Sequence, residues 1–499
     1  MEGLAGAGGL KDVVRGLACS LAARDIDVTV YIPRYGFVPP GEPMDSLAVG
    51  VNGRETAVDV QRTVVCGLEV RLLDAPEFRS KADIYTYTAE DAPRAEDVGR
   101  SHHDVDTMNI LFQKGALSAM DREGRIPDVI HGHDGHCGLL PLLARRYAHR
   151  PGCFDRTGVL VTIHNAGRAY QQIIGSLAET ARLTGLPETD LRFGLDNGSV
   201  NPLILAGVYG HINTVSPEYA SDLLMDRDQY SGQIGRRFRE LDIPLPGIYN
   251  GINPDYWNSM PMRPGSIDET PCDRRHRARE AILRTFEADR IHGSLPEPNV
   301  PWFLFHGRIT HQKGLDSILE LPASIGTEPA AHLILYGQGD PAIESRLIES
   351  VSQRRNWTYI RDYDPEFTKT VLAASSYVLV PSQWEPCGLI DIVAQLYGAL
   401  PIVRGTGGLK KVRHRIDGFR YSAESRSGLE RMMELALRWE RSRPGKLSRM
   451  RRRAENTVYE RRTWTKVLVR RYLPLYERVW TGHRRGVHGP GGPSHQSSA

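Results

Sequence analysis

The chain reads as an α/β protein built on two doubly wound parallel sheets, and three observations lead there. Short runs rich in β-branched residues recur along most of its 499 residues. Helical patterns alternate with these runs, and nearly every run ends in Gly, Pro, His or Asn. Strands apolar on both faces and separated by helices are the mark of parallel sheets covered on both sides. A loop-rich interruption then divides the pattern into two halves, and the length itself suggests more than one domain.

In chain order, a helix carrying Leu10, Val13, Val14, Leu17 and Leu21 on one face precedes a strand at Val28–Ile32. Strands follow at Asp128–His131, Val159–Ile163, Phe303–Phe305, Leu333–Tyr336 and Tyr377–Val380. The interruption runs from Trp257 to Pro301 and holds one short charged helix, Arg274 to Glu287, in what reads as an interdomain linker. Trp464, Leu468, Tyr472, Leu475, Tyr476 and Val479 recur at helical spacing, so the arginines from Arg441 to Arg471 read as the solvated face of packed helix. Residues 485–499 are Gly/Pro/Ser-rich and read as a disordered tail.

A hydrophobic content of 40% with 25% charged residues suits a buried core, and a net charge of +3 over this length points away from nucleic acid and anionic membranes. The six cysteines form no CxxC pair, which favours a reducing compartment. The sequence contains no signal peptide and no apolar run of about 18 residues. The expectation is a cytoplasmic protein without a membrane partner.

The sharpest chemical signal is His306–Gly314, where Arg308 and Lys313 lie five residues apart just after a strand. Two fixed cations at a sheet's C-terminal edge suit a diphosphate and stabilise negative charge on a phosphate leaving group. Alternatively, both are solvated loop residues. Thr406-Gly407-Gly408-Leu409 follows the strand-like Leu400–Val403, where backbone N–H groups can approach an anion. Between them, Glu385 sits in a tight turn, placed either to read a sugar hydroxyl or to complement a helix dipole. In the first half, His131-Gly132-His133-Asp134-Gly135-His136 evokes a metal cluster, but its Asp stands one place early for the HxHxDH pattern and no second ligand set follows. A polar crevice at a strand end fits Asp134 better, and His164-Asn165 likewise closes a strand.

Taken in order, these segments resemble the bacterial glycogen synthase and plant starch synthase family over nearly the whole chain. H-x-H-D-x-H matches His131 to His136, T-[IV]-H-N matches Thr162 to Asn165, and T-V-S-P-x-Y-A matches Thr214 to Ala220. The N-G-[IV] segment is Asn250-Gly251-Ile252, R-[LI]-T-x-Q-K-G-L-D matches Arg308 to Asp316, and G-x-G-D-P matches Gly337 to Pro341. P-S-x-[FW]-E-P-C-G-L matches Pro381 to Leu389, and P-I-V-R-x-T-G-G-L matches Pro401 to Leu409.

The resemblance implies a GT-B fold: two Rossmann-like domains, residues 1–248 and 249–450, with the active site in the interdomain cleft and a helix at 451–484 crossing back to the first domain. It implies a retaining transfer of glucose from ADP-glucose or UDP-glucose to the non-reducing end of an α-1,4-glucan, without a metal or other cofactor. Arg308 and Lys313 would hold the diphosphate, helped by the N–H groups of Gly407 and Gly408, and Glu385 would bind the donor glucose near Asp134, His164 and Asn250. Tyr363 matches the base-stacking tyrosine. Gly8, Gly9, Asp12, Gln312, Cys387, Gly388, Leu389 and Thr406 complete the donor-binding set.

The chain departs from the pattern in places. The family opens with a strand and K-x-G-G-L; here no strand precedes Gly8, Gly6 holds the lysine's place and Lys11 that of a small residue. The natural start is therefore expected upstream. Ile390-Asp391 replaces T-Q, and Asn253 replaces an Asp. Two other readings stand beside the first. One is a retaining transferase acting on a small acceptor, which Val393 disfavours because the E-x7-E pattern wants a glutamate there. The other is a glucan-binding relative with impaired catalysis.

Overall fold

A computed structural model describes residues 4–6, 8–258, 271–285, 290–322, 324–325 and 330–484. The expected tail at 485–499 and, within the loop-rich interruption, residues 259–270 and 286–289 lie outside these. The chain divides into two compact units: unit 1 runs to Ile248 and resumes at Val467, and unit 2 is Tyr249–Lys466.

Unit 1 contains two main sheets. In the first, β1 (Thr29–Pro33) pairs in parallel with β4 (Leu68–Asp74), and β3 (Arg54–Val65) runs antiparallel to both β4 and β2 (Glu42–Val51). This antiparallel extension is absent from the purely parallel expectation. Its cause is local. Asn52-Gly53 and Cys66-Gly67 have φ of 57°, 69°, 52° and 76°, the left-handed pairs of two-residue hairpin turns. One face of this sheet carries Val30, Leu68, Val70 and Leu72 in a core shared with Ala18 of the helix Leu10–Ala22. The other presents Val58, Val60 and Leu73 to the helix Val105–Arg122.

The second sheet is parallel and has the order β5 (Val129–His133), β6 (Gly158–Ile163), β9 (His211–Thr214). A small antiparallel pair, β7 (Leu195–Asp196) and β8 (Ser199–Val200), lies between β6 and β9 in sequence. Among the described residues β1 and β5 are each edge strands. The helix Leu473–Arg484 packs on β6, with Val479 fully buried.

Unit 2 is one seven-stranded sheet. Its order is β10 (Ile291–Gly293), β13 (Trp357–Ile360), β12 (His332–Tyr336), β11 (Trp302–His306), β14 (Tyr377–Val380), β15 (Leu400–Arg404), β16 (Phe419–Tyr421). Only β10 runs antiparallel, against β13 at one edge. The strands are apolar on both faces because each face has its own core. Phe303, Phe305, Leu333, Leu335, Tyr377 and Leu379 enter one cluster; Trp302, Leu304, Ile334, Tyr336, Val378 and Val380 enter the other. That strict alternation is the two-residue period of a strand buried on both sides.

Two boundaries differ from the sequence reading. The helix read as part of a linker is Pro271–Thr285, and it lies inside unit 2. Ala278 and Ile282 enter a core, Arg275 Nε donates to Ser375 O at 3.0 Å, and Arg279 donates to Ala374 O, Pro298 O and Ser376 Oγ at 3.0, 2.7 and 3.0 Å. The second division falls at Lys466/Val467; position 450 lies within the helix Pro444–Arg461, whose Leu447, Met450, Ala454 and Val458 are packed in unit 2. There the entering segment lies beside the leaving one, Ile252 N donating to Arg462 O at 2.8 Å and Trp464 N to Ile252 O at 3.0 Å.

Replacing Arg279 with Ala leaves two buried acceptors, Ala374 O and Ser376 Oγ, and the more exposed Pro298 O without this donor and uncovers Trp302, over whose ring the guanidinium lies at 4.7 Å. Unit 2 should lose about 3 kcal/mol, read by urea unfolding followed through tryptophan fluorescence.

Candidate active site

In unit 2 the strand ends of β11, β14 and β15 bring the C-terminal candidates together. After β11 the chain makes a single turn, His311–Lys313, ended by Gly314 at φ 76°. Only glycine fits, since a Cβ there would lie 2.1 Å from Pro381 O. Gln383 N donates to Gln312 O at 2.8 Å, fastening the β11 loop to the β14 loop. Lys313 Nζ then reaches Glu385 Oε2 at 2.7 Å, and Ser382 Oγ donates to the same oxygen at 3.0 Å.

Burial pushes the Glu385 carboxyl up, but the Lys313 ammonium beside it and the bonds from Lys313 and Ser382 outweigh that, holding it below the usual glutamate range. Glu385 is therefore an ionised, acceptor-only group suited to accept hydroxyl protons in hydrogen bonds. Arg308 is exposed and, among the described residues, makes no hydrogen bond or ion pair. The loop beside it is pinned by Ile309, which donates to Gln338 O at 2.9 Å and accepts from Asp340 N at 2.8 Å.

The Gly407-Gly408 turn packs beneath Glu385, but one expected role fails. Gly408 N donates to Glu385 O at 2.8 Å, so this N–H is not available to a phosphate. The turn braces the loop above it.

The brace includes a residue that sequence reasoning missed. Lys411 Nζ is buried and donates to Cys387 O at 2.5 Å, Gly388 O at 3.0 Å and Gly408 O at 3.2 Å, with Asp391 Oδ2 at 2.8 Å in a charge contact. Burial holds the Asp391 carboxyl above its usual range despite that ammonium. Lys411 is 20 positions from Asp391 in sequence, and only the departure at Ile390-Asp391 signalled that this turn is built differently here.

Other candidates fall around this centre. Cys387 is buried with its thiol pushed up by that burial, and Asn250 is buried beside it with Oδ1 lacking any partner. Leu389 caps the helix Ile390–Leu396, and Thr406 N donates to Arg404 O at 2.8 Å. Tyr363 is 58% exposed on a loop fixed by Asp364 N donating to Tyr336 Oη at 2.6 Å. That suits a stacking platform.

Asp134 and His164 lie in unit 1. Asp134 has φ 56° and ψ −175°, a combination normally left to glycine and costing about 1–3 kcal/mol. Its Oδ1 accepts from His164 N at 2.6 Å and Asn165 N at 3.3 Å, binding the β5 end to the β6 end. Burial raises its carboxyl to about 7 against those two bonds.

The neighbouring histidines hold one another rather than converging on a point. His133 Nδ1 lies 3.1 Å from His164 Nε2, while His131 bridges Tyr476 Oη at 2.8 Å and Thr162 Oγ1 at 2.6 Å. Among the described residues no three His, Cys, Asp or Glu side chains are arranged to hold a metal ion. Gly8 and Gly9 precede the first helix, and Asp12 in its first turn pairs with Arg15 at 3.7 Å.

The fold matches solved glycosyltransferases. The catalytic domain of Starch Synthase IV from Arabidopsis thaliana, bound to ADP and acarbose, superposes with a TM-score of 0.77 at 23% identity, covering 96% of this chain and 98% of that one. Sucrose-phosphate synthase from Thermosynechococcus elongatus gives 0.56 at 18% identity, covering 95% and 94%. Residues 287–457 match the model for glycosyl transferases group 1. Fold and site thus define a glycosyltransferase of the GT-B class.

Residues 1–235 match the starch synthase catalytic domain. The glycogen synthase of Vibrio cholerae (strain M66-2) is 28% identical over 476 residues, 91% of this chain and 93% of that protein. That of Aeromonas salmonicida (strain A449) is 29% identical over 431 residues, 82% of each. Over these spans the chain is similar to the bacterial glycogen synthases and to the starch synthase catalytic domain.

Two expectations follow. Lys411→Met strands a buried carboxylate and should cost about 3–5 kcal/mol; adding Asp391→Leu should recover most of it, which a double-mutant cycle on urea midpoints reads. The second concerns pH. Burial holds His133 and His136 at about 4 and His131 and His164 well below 6.5, so these four are neutral in the fold and gain protons on unfolding below about pH 6.5. Asp134, raised to about 7, and Asp106, raised to about 6, act oppositely but are two groups against four. His306 and His332, also lowered to about 4, act with the four. Scanning fluorimetry should show the melting temperature falling from about pH 7.5 to about pH 5.5.

Proposed function

We propose that this chain is a retaining glucosyltransferase that moves glucose from ADP-glucose, or UDP-glucose, to the non-reducing end of an α-1,4-glucan. The observation that carries the reading is the Lys313–Glu385 pair at 2.7 Å with Arg308 exposed on the same loop as Lys313. Arg308 and Lys313 hold the donor diphosphate and stabilise the charge that appears on it as the glycosidic C–O bond breaks. Glu385, kept ionised, accepts a hydrogen bond from a donor-glucose hydroxyl and orients the ring. Tyr363 supplies a face for the base. Two side-chain cations on the leaving group make a metal or other cofactor unnecessary in this scheme.

Retention fits front-face attack, since no carboxylate here is a free nucleophile: Glu385 is engaged by Lys313 and Ser382. The small-acceptor alternative wants a carboxylate at position 393, and Val393 is 1% exposed inside a core. A cytoplasmic setting accords with the free thiols of Cys19, Cys66, Cys137, Cys153 and Cys387 and with the absence, among the described residues, of a helix able to cross a membrane.

Labelled ADP-glucose and UDP-glucose, each offered with glycogen, test the reading: label should precipitate with glycogen. Lys313→Ala and Glu385→Gln should each lower turnover by about 10²–10³ in protein that still folds. Label confined to small products, or near-normal rates in both variants, would refute it.

A further inference from the structure

Phe37 is a large aromatic ring left 44% exposed on a loop that is anything but loose. The loop follows β1. Gly36 N donates to Lys81 O at 3.0 Å, and a Cβ at Gly36 would lie 2.6 Å from Arg79 O. Val38 N donates to Tyr35 O at 2.9 Å, Val38 is 1% exposed, and Pro39-Pro40 fix the backbone beyond it. An isolated exposed apolar residue is ordinary. Phe37 differs because its ring is stacked on a second one.

It stacks on Tyr35 with centroids 5.7 Å apart and planes 4° from parallel. Tyr35 is half-buried, its phenol pushed up first by that burial and then by the nearby Tyr85 and Asp83. Tyr85 lies 5.8 Å from the His136 ring. His136 is two residues from Asp134, whose strained backbone marks the polar site of unit 1. The Phe37–Tyr35 stack is thus bonded, through Gly36 N and Lys81 O, to the segment whose Tyr85 meets His136, all within one unit.

We propose that Phe37, backed by Tyr35, is a docking platform for the α-glucan acceptor chain outward of Asp134. Aromatic faces bind the C–H-lined faces of pyranose rings, and a ring already fixed by its neighbours loses little freedom on doing so. A rigid, partly exposed aromatic face suits the sugars of a linear chain. The occupant is the glucan of the function proposed above, and the inference rests on that reading.

The test separates the two. In native gels containing glycogen and no donor, wild-type protein should be retarded, Phe37→Ala should lose about three- to tenfold in apparent affinity, and Phe37→Tyr should restore it. In the transfer assay Phe37→Ala should raise the KM for glycogen by a similar factor and leave the KM for the sugar nucleotide and the melting temperature unchanged. Equal retardation of wild type and Phe37→Ala overturns the platform even if transfer is robust. A selective retardation loss in a chain that transfers nothing to glycogen would uphold the platform and sink the synthase reading instead.

Discussion

A single ammonium group holds the donor end of unit 2 in shape. Lys411 lies under two turns that the chain forms far apart in sequence, and its three hydrogen-bonded carbonyls belong to Cys387, Gly388 and Gly408. Both turns point carbonyls inward, which would leave uncompensated negative ends of dipoles in a dry place. A lysine with three donors satisfies them, and Asp391 balances the charge within the same pocket. Glu385 is carried on the first of these turns and the Gly407-Gly408 pair on the second, so the placement of that carboxylate depends on a residue in the layer beneath it. With the brace in place, Gly408 N can reach Glu385 O, and the two turns become one rigid body.

What could be read from sequence follows from how local each cause is. The strands of unit 2 were legible because residues such as Phe303–Phe305 and Leu333–Leu335 are apolar on both faces, and that pattern is written consecutively. β2 and β3 were not, because Glu42–Leu47 and Arg54–Thr56 put polar residues on an exposed face, leaving only Val49, Val51, Val58 and Val60 as core signal. Asn52-Gly53 was the available clue. Arg275 and Arg279 look like a solvated helix face in sequence; they are buried because free carbonyls at Ala374, Ser375 and Pro298 await donors, and those lie 19 to 100 positions away. The cations Arg308 and Lys313 were visible from their spacing, whereas the Lys313–Glu385 contact and the Lys411 brace join segments that only folding brings together.

The polar end of unit 1 works on a different principle. Its histidines are kept neutral by burial, and each ring nitrogen that bonds does so with a neighbour of the same set: His133 with His164, His131 with Tyr476 and Thr162, and Thr162 Oγ1 onward to Asn213 Oδ1 at 2.7 Å. Such a network fixes orientation without adding charge. Asp134 is the exception, a carboxyl in a backbone conformation glycine would prefer, holding the two strand ends by their N–H groups. Its strain is tolerated because two hydrogen bonds and the surrounding burial determine its place.

Under the proposed function, the charge balance of unit 2 decides which group the donor diphosphate meets first. Lys313 is neutralised by Glu385, and Lys411 is enclosed beside Asp391, so neither pair presents a net positive charge to solvent. Gly408 N is occupied. Arg308 is left as the exposed, uncommitted cation of the loop, with a planar fork suited to two phosphate oxygens at once. Lys313 contributes differently: its ammonium already has one carboxylate, and each increment of negative charge that grows on a leaving phosphate competes with Glu385 for it. Its pull on the phosphate therefore strengthens as the bond breaks, which is where an interaction accelerates a reaction instead of merely tightening the ground state. In the proposed transfer, binding falls mainly to the arginine and catalysis mainly to the lysine, a division set by the one hydrogen bond that Lys313 makes to Glu385.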